Sequence, residues 1–173
     1  MDKRVQTEAG LTLIELLGAI VILVIITGLT FPILINGLKT ATTIQQEVKL
    51  RDEADYLMAA MLKEMYVMKE SEINKDNLPA NGTANYFLIK KVPTKPNGIK
   101  TGFINGELIL SDTVIHAKDS SIKLSPNPTI TFVEPNQYEI SFELKLTGDK
   151  PKKMKFENVI RTINDIDIKE QSL

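Results

Sequence analysis

One acid stands alone in an apolar run. From Leu11 to Ile35 the chain has 25 residues, and Glu15 is the only charged one. A carboxylate facing hydrocarbon costs about 2.5–3.5 kcal/mol at the centre of a span and less near its end. Such a residue marks a function by default, and it calls for a partner. No partner is obvious in the uncut chain. Hydrolysis of the peptide bond after Gly10 would supply one. Leu11 would then carry a free α-amino group four residues from Glu15, about one helical turn. That cation could neutralise its own Glu15 or the Glu15 of a neighbouring subunit.

Other chemistry is sparse. There is no Cys, which excludes thiol catalysis and Cys-ligated metal, and His116 is the only histidine, which excludes a His cluster. No G-x-S-x-G, Walker motif or Gly-rich loop after a strand occurs. Asn164, Asp165 and Asp167 are oxygen donors of the type Ca²⁺ uses, but three such residues in a tail read more simply as solvated. Asn81-Gly82-Thr83 fits a glycosylation sequon and reads as a chance match in a loop. Basic and acidic residues number 21 and 22, for a formal net charge of −1, without the basic excess of a nucleic-acid binder. The expectation is a protein without catalytic residues, metal or cofactor, and not an enzyme.

The elements that must position Glu15 follow from the apolar run. As a helix, 25 residues are roughly 37 Å long, enough for a ~30 Å hydrocarbon core. Lys3 and Arg4 favour a cytoplasmic N-terminus, which leaves the bulk of the chain extracytoplasmic. A secretory signal peptide would have a shorter apolar stretch followed by a small-residue cut site. A plain membrane anchor gives no reason for Glu15. Pro32 removes one helix hydrogen bond and crowds the preceding turn, and Gly28 loosens the same stretch, so a kink is expected there.

Gly10-Leu11-Thr12-Leu13-Ile14-Glu15-Leu16-Leu17 resembles the N-terminal signal of type IV pilins and pseudopilins. Pro32 also matches a proline frequent in that family. The resemblance covers roughly residues 8–40, with Leu11 where the family usually has Phe. It implies that a membrane-embedded aspartyl prepilin peptidase removes residues 1–10 by cutting between Gly10 and Leu11, and that Leu11 is N-methylated. It implies assembly with other pilin or pseudopilin subunits into a filament whose core is the apolar helices, with Glu15 setting axial register. A type IV pilus, a type II secretion pseudopilus and a Gram-positive competence pseudopilus all remain open. The lack of Cys, and so of a disulfide-bounded C-terminal loop, points toward a Gram-positive source; a minor rather than a main pseudopilin is expected. The alternative from another class is a membrane-anchored extracytoplasmic binding or sensor module.

Beyond the span, Leu50, Ala54, Leu57, Met61, Met65 and Met68 recur at helical spacing. Lys49 and Glu53, like Glu47 and Arg51, are four apart and predict ion pairs on the solvated side. A helix from Leu11 to near Met68 is expected. After the loop at Leu78–Gly82 the period becomes two. Tyr86 to Val92, the hairpin Phe103–Leu110 with an Asn105-Gly106 turn, a second hairpin turning at Glu134-Pro135-Asn136, and Met154 to Ile163 read as strands. The expected organisation is a leader (1–10), a transmembrane helix (11–35), an amphipathic helix (36–75) and a β-sheet domain (76–173). The expected fold class is α+β, one long N-terminal helix packed on an antiparallel β-sheet.

Overall fold

The computed structural model describes residues 12–74, 83–89, 94–148 and 151–166. The chain divides into two compact units, Met1–Ile44 and Gln45–Leu173. A single helix, α1 (Leu13–Met65), contributes to both. The fold is α+β, as the periodicities require.

In the first unit every described residue is exposed, and nearly all of those up to Ile35 are apolar. Leu13 is 84% exposed and Ile33 73%. A soluble domain does not leave so large an apolar surface uncovered. The helix is long and apolar enough to cross a membrane.

In the second unit α1 buries the stripe read from the sequence. Leu50, Ala54, Leu57, Met61 and Met65 are buried, and Met68 just beyond the helix joins them. Helix geometry stops at Met65, because the next residues are held by other partners. The Met68 carbonyl accepts from the Ile163 amide at 2.9 Å, and the Glu70 amide donates to the Ile163 carbonyl at 2.9 Å. Lys69 is extended, with φ −92° and ψ 138°, and a 3₁₀ turn, Glu70–Glu72, follows.

Among the described residues nine strands follow: β1 (Thr83–Ala84), β2 (Tyr86–Ile89), β3 (Ile99–Ile104), β4 (Glu107–Leu110), β5 (Thr113–Ile115), β6 (Ile122–Leu124), β7 (Thr129–Glu134), β8 (Gln137–Leu146) and β9 (Lys152–Arg161). They form two antiparallel sheets. The first sheet is centred on β8. It pairs with β9 along its whole length, while β7 and β6 share its other edge, and β1 extends β7. The second sheet runs β2-β3-β4-β5. The chain passes from one sheet to the other at Asn85, between β1 and β2. The part of the expected first strand beyond Ile89, 90–92, lies outside the described residues.

Local chemistry fixes the hairpins. Asn105 and Gly106 both have positive φ, 54° and 79°, as a two-residue type I′ turn demands. In the β7–β8 hairpin, Asn136 takes φ 57° after Pro135. β8 buries Tyr138, Ile140, Phe142, Leu144 and Leu146 on one face. That face meets the other sheet ring to ring. Phe87 of β2 lies edge-on to Tyr138 at 4.8 Å between centroids, and Phe103 of β3 is tilted over Phe142 at 5.6 Å. Such pairs add about 0.5–1.5 kcal/mol each to the burial of the rings.

The charges on α1 do not pair with each other as their spacing predicted. Glu53 is buried, not solvated. Its carboxylate accepts from the backbone amides of Lys118 (2.9 Å) and Asp119 (3.3 Å), holding the β5–β6 connection on the helix. Lys49 instead pairs with Asp119 at 3.6 Å, and Glu47 with Lys152 at 2.5 Å. The bond from Ser121 holds the Asp119 carboxyl below its ordinary range, and the Lys152 ammonium does the same for Glu47. The helical i, i+4 rule loses here because partners on the sheet are in reach and bring better geometry.

This gives a direct expectation. Glu53→Ala removes two charge-assisted bonds and should lower stability by roughly 1.5–3 kcal/mol. Glu53→Gln, which keeps one acceptor oxygen, should lose less. Denaturant unfolding of the detergent-solubilised full chain measures both, and equal losses would show that the carboxylate charge contributes nothing.

Candidate functional site

The start of α1 is where sequence chemistry and structure meet. Thr12 precedes the first helical residue, and its carbonyl accepts the first helical bond, from the Leu16 amide at 3.1 Å. Its Oγ1 accepts from the Glu15 amide at 3.4 Å. In return the Glu15 carboxylate accepts from the Thr12 amide (2.9 Å) and the Thr12 hydroxyl (2.8 Å). Thr12 and Glu15 form a reciprocal capping box, which satisfies donors the helix start would otherwise leave open. An acid in the first turn is further favoured by the helix dipole.

This corrects the reading that Glu15 lacks a partner in the uncut chain: Thr12 is that partner. Thr-x-x-Glu before an apolar run is a sequence signature of the capping box. Gly10 and Leu11, the expected cleavage and methylation positions, lie outside the described residues.

α1 continues through Gly28 and Pro32 as helix. Pro32 has no amide hydrogen, so the Gly28 carbonyl loses its helical donor. Two threonines lie in the turns before it. Thr27 donates to the Leu23 carbonyl at 2.7 Å, and Thr30 to the Ile26 carbonyl at 3.0 Å. Hydroxyls bonding back in this way compete with the backbone and bend helices. A Cβ added at Gly28 would meet nothing within 4 Å. No contact among the described residues therefore demands a glycine there.

The C-terminal oxygen donors serve the fold. The Asp165 carboxylate accepts from the Ser71 amide at 2.9 Å and the Ser71 hydroxyl at 2.5 Å. Asn164 accepts from the Ile166 amide at 3.3 Å, and Asp167 lies outside the described residues. Among the described residues no group of three or more His, Cys, Asp or Glu is placed to hold a metal ion. Beside this segment is a buried polar cluster that the sequence did not announce. The Glu70 carboxylate accepts from the Tyr138 hydroxyl (2.7 Å) and from Thr162 Oγ1 (2.9 Å). Burial, reinforced by the Glu70 carboxylate, raises the Tyr138 hydroxyl well above the ordinary tyrosine range, so it stays a donor.

His116 is exposed and lines an open cavity of about 890 Å³ between β3–β5 and the β6 side of the other sheet. Ser120 and Glu107 line the same cavity. Among the described residues no hydrogen bond joins His116 to either.

The chain matches no family model, no curated protein and no solved structure.

Proposed function

We propose that this chain is a filament subunit of the type IV pilin-like kind, a pilin or minor pseudopilin, and not an enzyme. The precursor is anchored by the first part of α1, with its N-terminus cytoplasmic and its α+β unit outside. A prepilin peptidase cuts between Gly10 and Leu11, and Leu11 becomes the N-methylated amine. The apolar helices then leave lipid and pack against those of other subunits, with flexure at Gly28–Pro32. The system served is a type IV pilus, a type II secretion pseudopilus or a competence pseudopilus.

One observation carries the reading: a helix start capped by Thr12 and Glu15 on an apolar surface that this chain itself leaves uncovered. Lipid covers such a surface in the precursor, and neighbouring helices cover it in a filament. In that core the Glu15 carboxylate loses water. Thr12 donors go part of the way to compensating it, and the Leu11 amine supplies the missing charge. A buried pair of this kind specifies register, the best attested use of buried charge.

The test is Glu15→Val. The variant should insert in the membrane at least as well as the parent, since an apolar residue replaces a carboxylate. Its incorporation into filaments should fall, because stripping one partner from a buried pair costs about 3–5 kcal/mol, two orders of magnitude or more in an equilibrium. Normal incorporation, read by crosslinking and shearing of filaments, would remove Glu15 from the role. The second reading, an anchored binding module, is favoured by the 890 Å³ cavity with its polar rim. It predicts a mature chain that keeps residues 1–10.

A further inference from the structure

The outer edge of β6 borders the cavity. Across the β6–β8 pair the Thr147 amide donates to the Ser121 carbonyl at 2.7 Å, and the Ser125 amide to the Glu143 carbonyl at 2.8 Å. An antiparallel ladder alternates, so Ser121, Lys123 and Ser125 turn their backbone groups toward β8, and Ile122 and Leu124 turn theirs away. The Ile122 amide closes a turn onto the Asp119 carbonyl at 2.9 Å. The Ile122 carbonyl and both backbone groups of Leu124 have no protein partner among the described residues. Backbone groups of this kind are strong donors and acceptors.

The neighbouring strand shows what such an edge can take. β6 and β7 share one edge of β8, and β1 covers the outer edge of β7. Thr83 is opposite Thr131 and Ala84 opposite Ile130, so β1 runs toward β6. At Asn85 the chain leaves this row for the second sheet. Asn85 lines the cavity of about 890 Å³, as do Ile122, Lys123 and Leu124, so the cavity continues the row of β1 alongside β6. Its base is apolar, formed by Leu57, Phe103, Leu108 and Leu144. A short strand carrying a lysine is a usual way to blunt a sheet edge. An apolar base beside open backbone groups is instead what a strand-accepting groove presents.

We propose that this groove binds an extended peptide segment of another protein chain, added antiparallel to β6 in the row of β1. Facing residues share a face of the sheet, so those opposite Leu124 and Ile122 point to the base and are apolar. The residue between them is opposite Lys123 on the solvent face. Lys123 is itself opposite Lys145, and Lys145 opposite Lys153. Glu143 accepts from Lys153 at 3.1 Å, whereas Lys123 has no ion pair among the described residues. Like charges in facing positions are destabilising, and an acid there relieves them. The partner segment therefore reads apolar, acid, apolar. All of these residues belong to the second unit, so the groove is the same in a filament subunit and in an anchored binding module.

The test titrates the detergent-solubilised full chain into a dansylated Thr-Ile-Asp-Ile-Thr amide. Fluorescence anisotropy reads binding, and amide hydrogen exchange by NMR reads Leu124. Binding should saturate, and Leu124 exchange should slow about tenfold with peptide at ten times its Kd. Changing the peptide aspartate to lysine should weaken binding up to about fivefold, the range of a cross-strand charge pair. Lys123→Glu, an exposed substitution, should reverse that preference. Binding that leaves Leu124 exchange unchanged would overturn strand addition. A preference unaffected by Lys123→Glu would overturn the apolar–acid–apolar assignment. Absence of saturable binding by either peptide at about 1 mM would overturn the groove.

Discussion

Gly10→Val should leave the precursor uncut in the membrane and abolish its filament incorporation. The proposed peptidase must bring its aspartates to the carbonyl of residue 10, and a β-branched side chain there restricts the backbone and crowds the approach. The loss is expected to be nearly complete, because every later step uses the Leu11 amine. The cap at Thr12 and Glu15 is untouched, so insertion should be normal. Mass spectrometry of the membrane fraction in cells with the cognate peptidase decides the outcome. A normally trimmed product would contradict the cleavage role of Gly10. A parent chain that keeps residues 1–10 beside that peptidase would sink the filament reading and favour an anchored binding module.

Gly102→Val should unfold the second unit. Gly102 has φ +138°, a conformation that L side chains rarely adopt. A Cβ there would lie 2.5 Å from the Tyr86 Cα and 2.7 Å from the Asn85 carbonyl oxygen. Those are backbone atoms of the crossing between the sheets, where the Phe103 amide also donates to Asn85 at 2.7 Å. The clash cannot be relieved by a side chain swinging away. Strain of about 1–3 kcal/mol adds to the separation of β2 from β3, and a total above ~4 kcal/mol is expected. Gly106→Ala is the control. Its φ is +79°, but the added Cβ meets nothing within 4 Å, so only the conformational cost of about 1 kcal/mol should appear. Equal losses for the two variants would show that the close approach at Tyr86 does not matter.

Much of this was readable from spacing. The stripe from Leu50 to Met65 is buried residue for residue, because a helix turns the same way whatever it packs against. The β8 alternation and the Asn105-Gly106 turn were legible for the same reason: each depends on a few adjacent residues. The Thr12–Glu15 cap is legible too, from the Thr-x-x-Glu signature. Spacing alone leaves Glu53 on the solvated side, because Lys49 one helical turn earlier is a plausible partner. Nothing near it in sequence shows that the amides at 118 and 119 need an acceptor.

Local order along the chain dictates a long apolar helix with one acid near its start, then an amphipathic helix and alternating strands. These are local consequences of side-chain period and backbone hydrogen bonding. Tertiary structure decided what depends on residues distant in the chain. It divided the strands into two sheets at Asn85 and buried Glu70 against Tyr138 and Thr162. It also aligned Lys123, Lys145 and Lys153 from three strands. Period fixes which face of a strand is wet. Only the packing of distant strands fixes which residues on that face become neighbours.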